Sequence, residues 1–312
     1  GESFFNDKMD GPLDMLREKG LVTVNQGAQI VDLADYNMPP CLLVKSDGSS
    51  LYATRDIAAA VWRKAEYDFD KCLYVVAYQQ NLHFKQFFKV LELANLDWAK
   101  DLVHVAYGMV SLEDGAMSTR KGNVVLLRDV INKAVAKSLD IITAKNPNLD
   151  NREKVAEQVG VGAVLFSALE NSKIKDITFT FDRVLNFDGE TAPYLQYTHA
   201  RCNSIVAKAG LSANAKIAVD TTAFDNIETV RLCKLLRAFP QTIKDAATKY
   251  EPSMISGLLI DIAQAFNRFY IEHRVICDDV AVQNARLQVV QATATVLKKG
   301  LSLLGIEAPE KM

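Results

Sequence analysis

In the first half of the chain the apolar positions change period from block to block. Residues 41–44, 72–77 and 103–107 are short apolar runs bounded by polar or turn-forming residues, the pattern of buried strands. Residues 13–19, 54–64 and 82–95 repeat their apolar positions every three to four residues and predict helices, the first stopped by Gly20. Ser46-Asp47-Gly48-Ser49-Ser50 supplies a turn between the first strand and the helix after it. Strand and helix alternating at this spacing predict a parallel sheet with crossover helices. From residue 124 onward the helical period dominates. It runs through 124–144, 155–169, 194–209, 230–248, 254–270 and 285–304, with Pro147, Pro193, Pro240 and Pro252 at or near the breaks. Pro240 either ends a helix or kinks a longer one. Residues 177–181 alternate and predict an extended segment at an edge or in a connection. Asn146-Pro147-Asn148 is the strongest boundary signal, so the expected organisation is an α/β domain over 1–148 followed by an all-helical domain over 149–312.

Composition narrows this picture modestly. The chain has 312 residues, 49% hydrophobic and 24% charged, enough for about two domains with ample cores. Net charge is −2, so any RNA-binding surface has to come from local placement of charge. Five scattered cysteines without a Cys-x-x-Cys pair indicate neither a disulfide framework nor a zinc site. They are expected to be reduced core thiols of a cytoplasmic protein. No apolar run is long enough to span a bilayer, and no signal peptide is evident.

Four constellations carry candidate chemistry. Ala116-Met117-Ser118-Thr119-Arg120-Lys121-Gly122-Asn123 joins small hydroxyl residues to two adjacent cations between a strand and a helix. Such a loop wraps phosphates and follows their charge through a reaction, unless it is simply a basic surface loop. Tyr52 and Asp56 share a helix face if Tyr52 lies on its first turn, and a carboxylate beside a phenol suits a guanidinium. The alternative places Asp56 at a helix N-terminus for its dipole and Tyr52 in the core. Gln80 and His83 stand where the strand over 72–77 gives way to a helix, the end of a parallel strand at which α/β folds collect ligands. The alternative makes Gln80 a cap and His83 a structural histidine. No other histidine lies at metal-ligand spacing, so no metal site is expected. Tyr194, Tyr197 and Arg201 fall on one helix face, and Phe266-Asn267-Arg268-Phe269-Tyr270 forms a second aromatic and basic group. Aromatic rings stack on unpaired bases, although such stripes also serve as core.

Taken in order, these pieces carry a resemblance. The segment 44–58 (Val-Lys-Ser-Asp-Gly-Ser-Ser-Leu-Tyr-Ala-Thr-Arg-Asp-Ile-Ala) is followed by Gln79-Gln80-Asn81-Leu82-His83-Phe84. His104-Val105-Ala106-Tyr107-Gly108-Met109-Val110 comes next, then the Met-Ser-Thr-Arg-Lys-Gly loop, then 194–201 (Tyr-Leu-Gln-Tyr-Thr-His-Ala-Arg). The ending is 304–312 (Leu-Gly-Ile-Glu-Ala-Pro-Glu-Lys-Met). The series resembles the arginyl-tRNA synthetase family over the whole chain, and the loop resembles the Lys-Met-Ser-Lys-Ser signature of class I aminoacyl-tRNA synthetases. The resemblance implies an α/β, partial Rossmann-type catalytic domain followed by an all-α anticodon-binding helical bundle. It implies an arginine–tRNA ligase, in which ATP and arginine form arginyl-adenylate and arginine passes to the tRNA 3′ end. Residues matching Tyr52, Asp56 and Gln80 hold arginine, and Met117, Ser118, Thr119, Arg120 and Lys121 contact the ATP phosphates. Tyr194, Tyr197, Arg201, Tyr270 and Met312 lie at or near the anticodon loop. ATP is then a substrate accompanied by Mg2+, and arginine tRNA is the partner of a cytoplasmic monomer with no membrane contact.

Two departures qualify the pattern. Ala116 and Thr119 stand where the signature has its two lysines, which leaves open whether Arg120 or Lys121 acts on phosphate. There is no His-Ile-Gly-His-type motif and no N-terminal domain, so the chain is expected to be an inactive C-terminal fragment. The competing readings are a non-catalytic tRNA- or protein-binding module derived from a synthetase, and a class I synthetase for another amino acid such as cysteine. The presence of Asp56 and the lack of zinc-type ligands argue against the last.

Overall fold

A computed structural model describes residues 1–112, 126–212, 215–218, 220–224 and 226–312. Its contacts divide the chain into two compact units, Gly1–Gly108 and Met109–Met312.

The first unit opens with α1 (Asp10–Glu18), which ends at Gly20 in the left-handed region. Two strands follow, β1 (Val22–Asn25) and β2 (Ala28–Val31), in an antiparallel hairpin. Its turn, Gln26-Gly27, has φ of 49° and 79°, the twist that a two-residue hairpin needs. β3 (Cys41–Val44) joins β2 antiparallel. The expected parallel sheet is therefore narrower than the alternation suggested, because the short hairpin captures β3. Next come α2 (Tyr52–Tyr67), β4 (Cys72–Ala77), a 3-10 turn over Tyr78–Gln80, α3 (Asn81–Leu93) and β5 (Leu102–Tyr107). β4 and β5 pair in parallel from Cys72↔Leu102 to Ala77↔Tyr107, with α3 as their crossover. Leu16, Leu33, Leu43, Ile57, Phe87 and Leu91 form the centre of this unit's core. On β4, Tyr74 is buried while Leu73 and Val75 are exposed.

The second unit begins with β6 (Val110–Leu112). Helices α4 (Leu127–Lys145) and α5 (Arg152–Leu169) pack against each other across the turn that contains Asn146-Pro147-Asn148. They approach closely at Gly160, where a Cβ would stand 2.6 Å from the Val135 backbone. β7 (Ile177–Phe179), the predicted extended segment, pairs in parallel with β6. Then follow α6 (Phe181–Val184), α7 (Ala192–Lys208), α8 (Ile227–Lys249), α9 (Ser253–Glu272) and α10 (Val280–Leu303). Side chains of Thr180, Thr191, Asn226 and Asp279 accept first-turn amides and fix four of these starts. α8 runs through Pro240, which lies on its exposed face, where water can reach the carbonyl left without its amide donor. α7, α9 and α10 enclose the largest core, centred on Leu195, Leu259, Phe266, Phe269 and Leu297. Cys41 and Cys202 are core thiols as expected, but Cys72 and Cys277 are half-buried and Cys233 is exposed on α8.

Candidate functional site

Tyr52 is the first residue of α2, so Tyr52 and Asp56 do share one face across a helical turn. The dipole alternative for Asp56 weakens accordingly, since it lies in the second turn. Tyr52 is 70% exposed and no part of the core. Asp56 Oδ2 lies 2.7 Å from His83 Nε2, on the first turn of α3. His83 thus bridges two helices through a carboxylate, which sequence spacing alone did not pair. Gln80 is the N-cap residue of α3, exposed and one helical turn before His83. A cleft of about 480 Å³ over α2 is lined by Asp56, Arg55, Arg63, Trp62 and the first residues of the chain, but by neither Tyr52 nor Gln80. The Arg55 guanidinium pairs with Glu2 there. The phosphate-loop candidates Met117, Ser118, Thr119, Arg120 and Lys121 lie outside the described residues.

The residues expected at an anticodon loop come together in the second unit. Arg201 places its guanidinium 4.8 Å from the Tyr197 ring centre and 5.6 Å from that of Tyr270. Both rings are exposed, at 41% and 40%. A guanidinium held over aromatic faces is attracted by their quadrupoles and keeps its donor edge for an acceptor. The holder is Asn267, whose Oδ1 accepts from Arg201 at 2.8 Å while its Nδ2 donates to the Tyr194 hydroxyl at 2.8 Å. Asn267 was not among the expected site residues. Its signal was an amide inside an apolar helical stretch, flanked by Phe266 and Arg268. Tyr270 is supported from beneath by Phe266, whose ring lies near-parallel at 6.2 Å.

Met312 reaches the same place from the other end of the chain. Tyr197, Arg201, Phe187, Lys145, Asn146 and Met312 are among the walls of a cavity of about 380 Å³. Asn146 Nδ2 donates to the Met312 main-chain oxygen at 3.3 Å. Aromatic faces, a thioether, one guanidinium and one ammonium, with the Asp188 carboxylate also on the wall, are suited to a stacked planar ring with polar edges.

Residues 1–181 match the family described as tRNA synthetases class I (R), catalytic domain, and residues 195–312 match the DALR anticodon binding domain. These matches define the class, a class I synthetase catalytic region joined to an anticodon-binding domain. The chain belongs to the arginyl-tRNA synthetase family. It is 50% identical over 312 residues to the arginine–tRNA ligase of Clostridioides difficile and 53% identical to that of Alkaliphilus metalliredigens. In both cases all of this chain is matched and 55% of the relative, so the chain spans about half the length of these proteins. The Thermus thermophilus arginyl-tRNA synthetase structure superposes with a TM-score of 0.88 at 27% identity, over 98% of this chain and 58% of that one. The Plasmodium falciparum arginyl-tRNA synthetase has the same fold, with a TM-score of 0.84 at 24% identity, over 100% of this chain and 54% of that one. Among the described residues no helix is long and apolar enough to cross a membrane, and no group of three or more His, Cys, Asp or Glu is placed to hold a metal ion.

Proposed function

We propose that this chain is the tRNA-reading and arginine-selecting portion of an arginine–tRNA ligase. The observation that carries the reading is the cavity between Tyr197, Arg201 and Met312, with Tyr270 beside Arg201. Splayed anticodon bases stack on Tyr197 and Tyr270, and Arg201 meets phosphate or a base edge. In the first unit Asp56 supplies the counter-charge to the guanidinium of arginine. His83 fixes the orientation of that carboxylate, and Tyr52 and Gln80 complete the contacts from the same pair of helices. The loop of Met117, Ser118, Thr119, Arg120 and Lys121 attends the ATP phosphates. Mg2+ accompanies ATP as its counter-ion, and no carboxylate cluster among the described residues is placed to hold it. The protein is a cytoplasmic monomer in this reading.

An RNA hairpin carrying an arginine anticodon loop tests the reading. Tyr197→Ala and Tyr270→Ala are each expected to weaken binding by about 1–3 kcal/mol for each lost stacked base. Affinity should also fall steeply with salt as counterions are released from phosphates. Equal affinity for an unrelated hairpin, with both variants silent, would remove the base-reading role.

A second reading applies to the 312 residues by themselves, as an RNA-binding module without activating power. It is favoured by the parallel sheet of only two strands in the first unit and by the 55% coverage of the relatives. Adenylate formation requires the α-phosphate held for in-line attack by the arginine carboxylate, with charge developing on pyrophosphate stabilised at the same moment. The polypeptide alone is expected to give no arginine-dependent ATP–pyrophosphate exchange, even with arginine tRNA added. Robust exchange would overturn this second reading.

A further inference from the structure

The residues after α10 form no regular element, yet Ile306 and Pro309 are buried. Backbone in such a tail stays ordered only where its polar groups find fixed partners. α7 provides them from the side opposite its RNA-facing cluster. Gln196 is fully buried, and its Nε2 donates to the carbonyls of Glu307 at 2.7 Å and Gln158 at 3.0 Å. His199, 2% exposed, has Nδ1 3.0 Å from the Pro309 carbonyl. A carbonyl only accepts, so Nδ1 carries the proton, and Nε2 is left to accept from Asn203 Nδ2 at 3.3 Å. Burial lowers the His199 pKa from its ordinary 6.5, with Lys298 on α10 acting in the same direction and the Pro309 bond and Glu310 on the tail opposing it. The neutral tautomer is the one that fits both partners.

The two clamps stand close together on both the helix and the tail. Gln196 and His199 are one turn apart on α7, about 4.5 Å along its axis. Their acceptors, the carbonyls of Glu307 and Pro309, are two residues apart on the tail. Gly162 on α5 leaves the space for this: a Cβ there would lie 2.9 Å from Gln196 Nε2 and 3.0 Å from Ile306 Cγ2. Gln158 Nε2 holds Glu307 Oε2 at 2.7 Å, and Asn146 takes the Met312 oxygen. Tyr197 and Arg201 alternate in sequence with Gln196 and His199, so one helix presents Tyr197 and Arg201 and fixes the tail that brings Met312 beside them.

We propose that Gln196 and His199 are positioning residues for RNA recognition, clamping the tail at Glu307 and Pro309 so that Met312 closes the cavity beside Tyr197 and Arg201. This rests on the reading of that cavity as an RNA-base site.

The test has two arms on the 312-residue chain. In the first, methionine methyl NMR follows Met312 in His199→Leu, Gln196→Leu and His199→Asn. Asn places an amide donor near the position of Nδ1. The Met312 methyl is expected to move toward its solvent-exposed shift in both Leu variants and to return in His199→Asn, while the Met254 methyl stays in place as a check on folding. Should either Leu variant fail to fold, Asn146→Ala, half-buried at the Met312 end of the clamp, is the substitute. An unmoved Met312 methyl in every folded variant overturns the proposal.

In the second arm the arginine-anticodon hairpin is titrated. His199→Leu is expected to weaken binding about as much as Met312→Ala, and the double variant no further, because both remove one contact. Additive losses overturn the proposal. If His199→Leu is silent while Tyr197→Ala weakens binding, the base-reading site stands and the positioning role falls. If Tyr197→Ala and Met312→Ala are silent too, the cavity reading itself falls and takes this proposal with it.

Discussion

Asp56→Ala, made in a chain that carries the whole catalytic region, is expected to cost about 2–5 kcal/mol of arginine recognition, roughly thirty-fold to several thousand-fold in kcat/KM for arginine. A guanidinium drawn out of water keeps its charge at any working pH, so its site has to contain an anion. Asp56 is the acidic residue on the shared face with Tyr52, and His83 at 2.7 Å already fixes the plane of its carboxylate. Asp56→Asn should lose nearly as much, because an amide keeps the shape and the hydrogen bond but not the charge. His83→Ala should lose less, since the carboxylate remains and only its orientation is freed. Steady-state aminoacylation with varied arginine separates these cases. A near-normal kcat/KM in Asp56→Ala would take Asp56 out of the arginine pocket.

Phe266→Ala is expected to destabilise the second unit by about 3–5 kcal/mol, the usual cost of emptying a fully buried aromatic site. Phe266 has no exposed surface and lies in the core shared by α7, α9 and α10. Its ring is also the platform under Tyr270, 6.2 Å away and within 17° of parallel. The variant therefore has a second, local effect. Tyr270 loses its support, Arg201 loses one of its two rings, and hairpin affinity falls even where the protein is still folded. Urea unfolding reads the first effect as a lower midpoint at constant m, and hairpin titration at low temperature reads the second. A loss near 1 kcal/mol or less would mean that α9 is not packed against α7 and α10 as described.

Much of this molecule was legible from periodicity. The strand over 41–44 and the strand over 72–77 have the bounds expected, and each predicted long helix is present with its ends shifted by a few residues. Helix ends shifted because caps such as Asn226 and Asp279 lie outside the apolar repeat that reveals the helix. The hairpin of β1 and β2 was not legible: Val22-Thr23-Val24 alternates over too few residues to stand out, and its turn is Gln-Gly rather than Asn-Gly or Asp-Gly. With the hairpin unseen, β3 was assigned to the parallel sheet. For the site, helical spacing placed Tyr194, Tyr197 and Arg201 on one face. Tyr270 and Met312 joined them through the family resemblance, because no local pattern brings residues so far apart in sequence into one cavity. Asn267, His83, Gln196 and His199 act through tertiary partners, and a polar residue in an apolar helix does not announce what it will bond.

The bonds that close the second unit also set the order in which it can form. Asn146 and Met312 are separated by 166 residues, Gln158 and Glu307 by 149, Gln196 and Glu307 by 111, and His199 and Pro309 by 110. Closing loops of that length is slow relative to pairing neighbouring helices such as α4 with α5 or α8 with α9. During synthesis those hairpins can dock as they emerge, but the notch at Gly162 and the donors of Gln196 and His199 have to wait for residues 306–309. Until then two buried donors on α7 face an open groove, a state in which the half-made bundle is exposed to misassembly. Seating of residues 306–312 is thereby the last step in closing the cavity beside Tyr197 and Arg201.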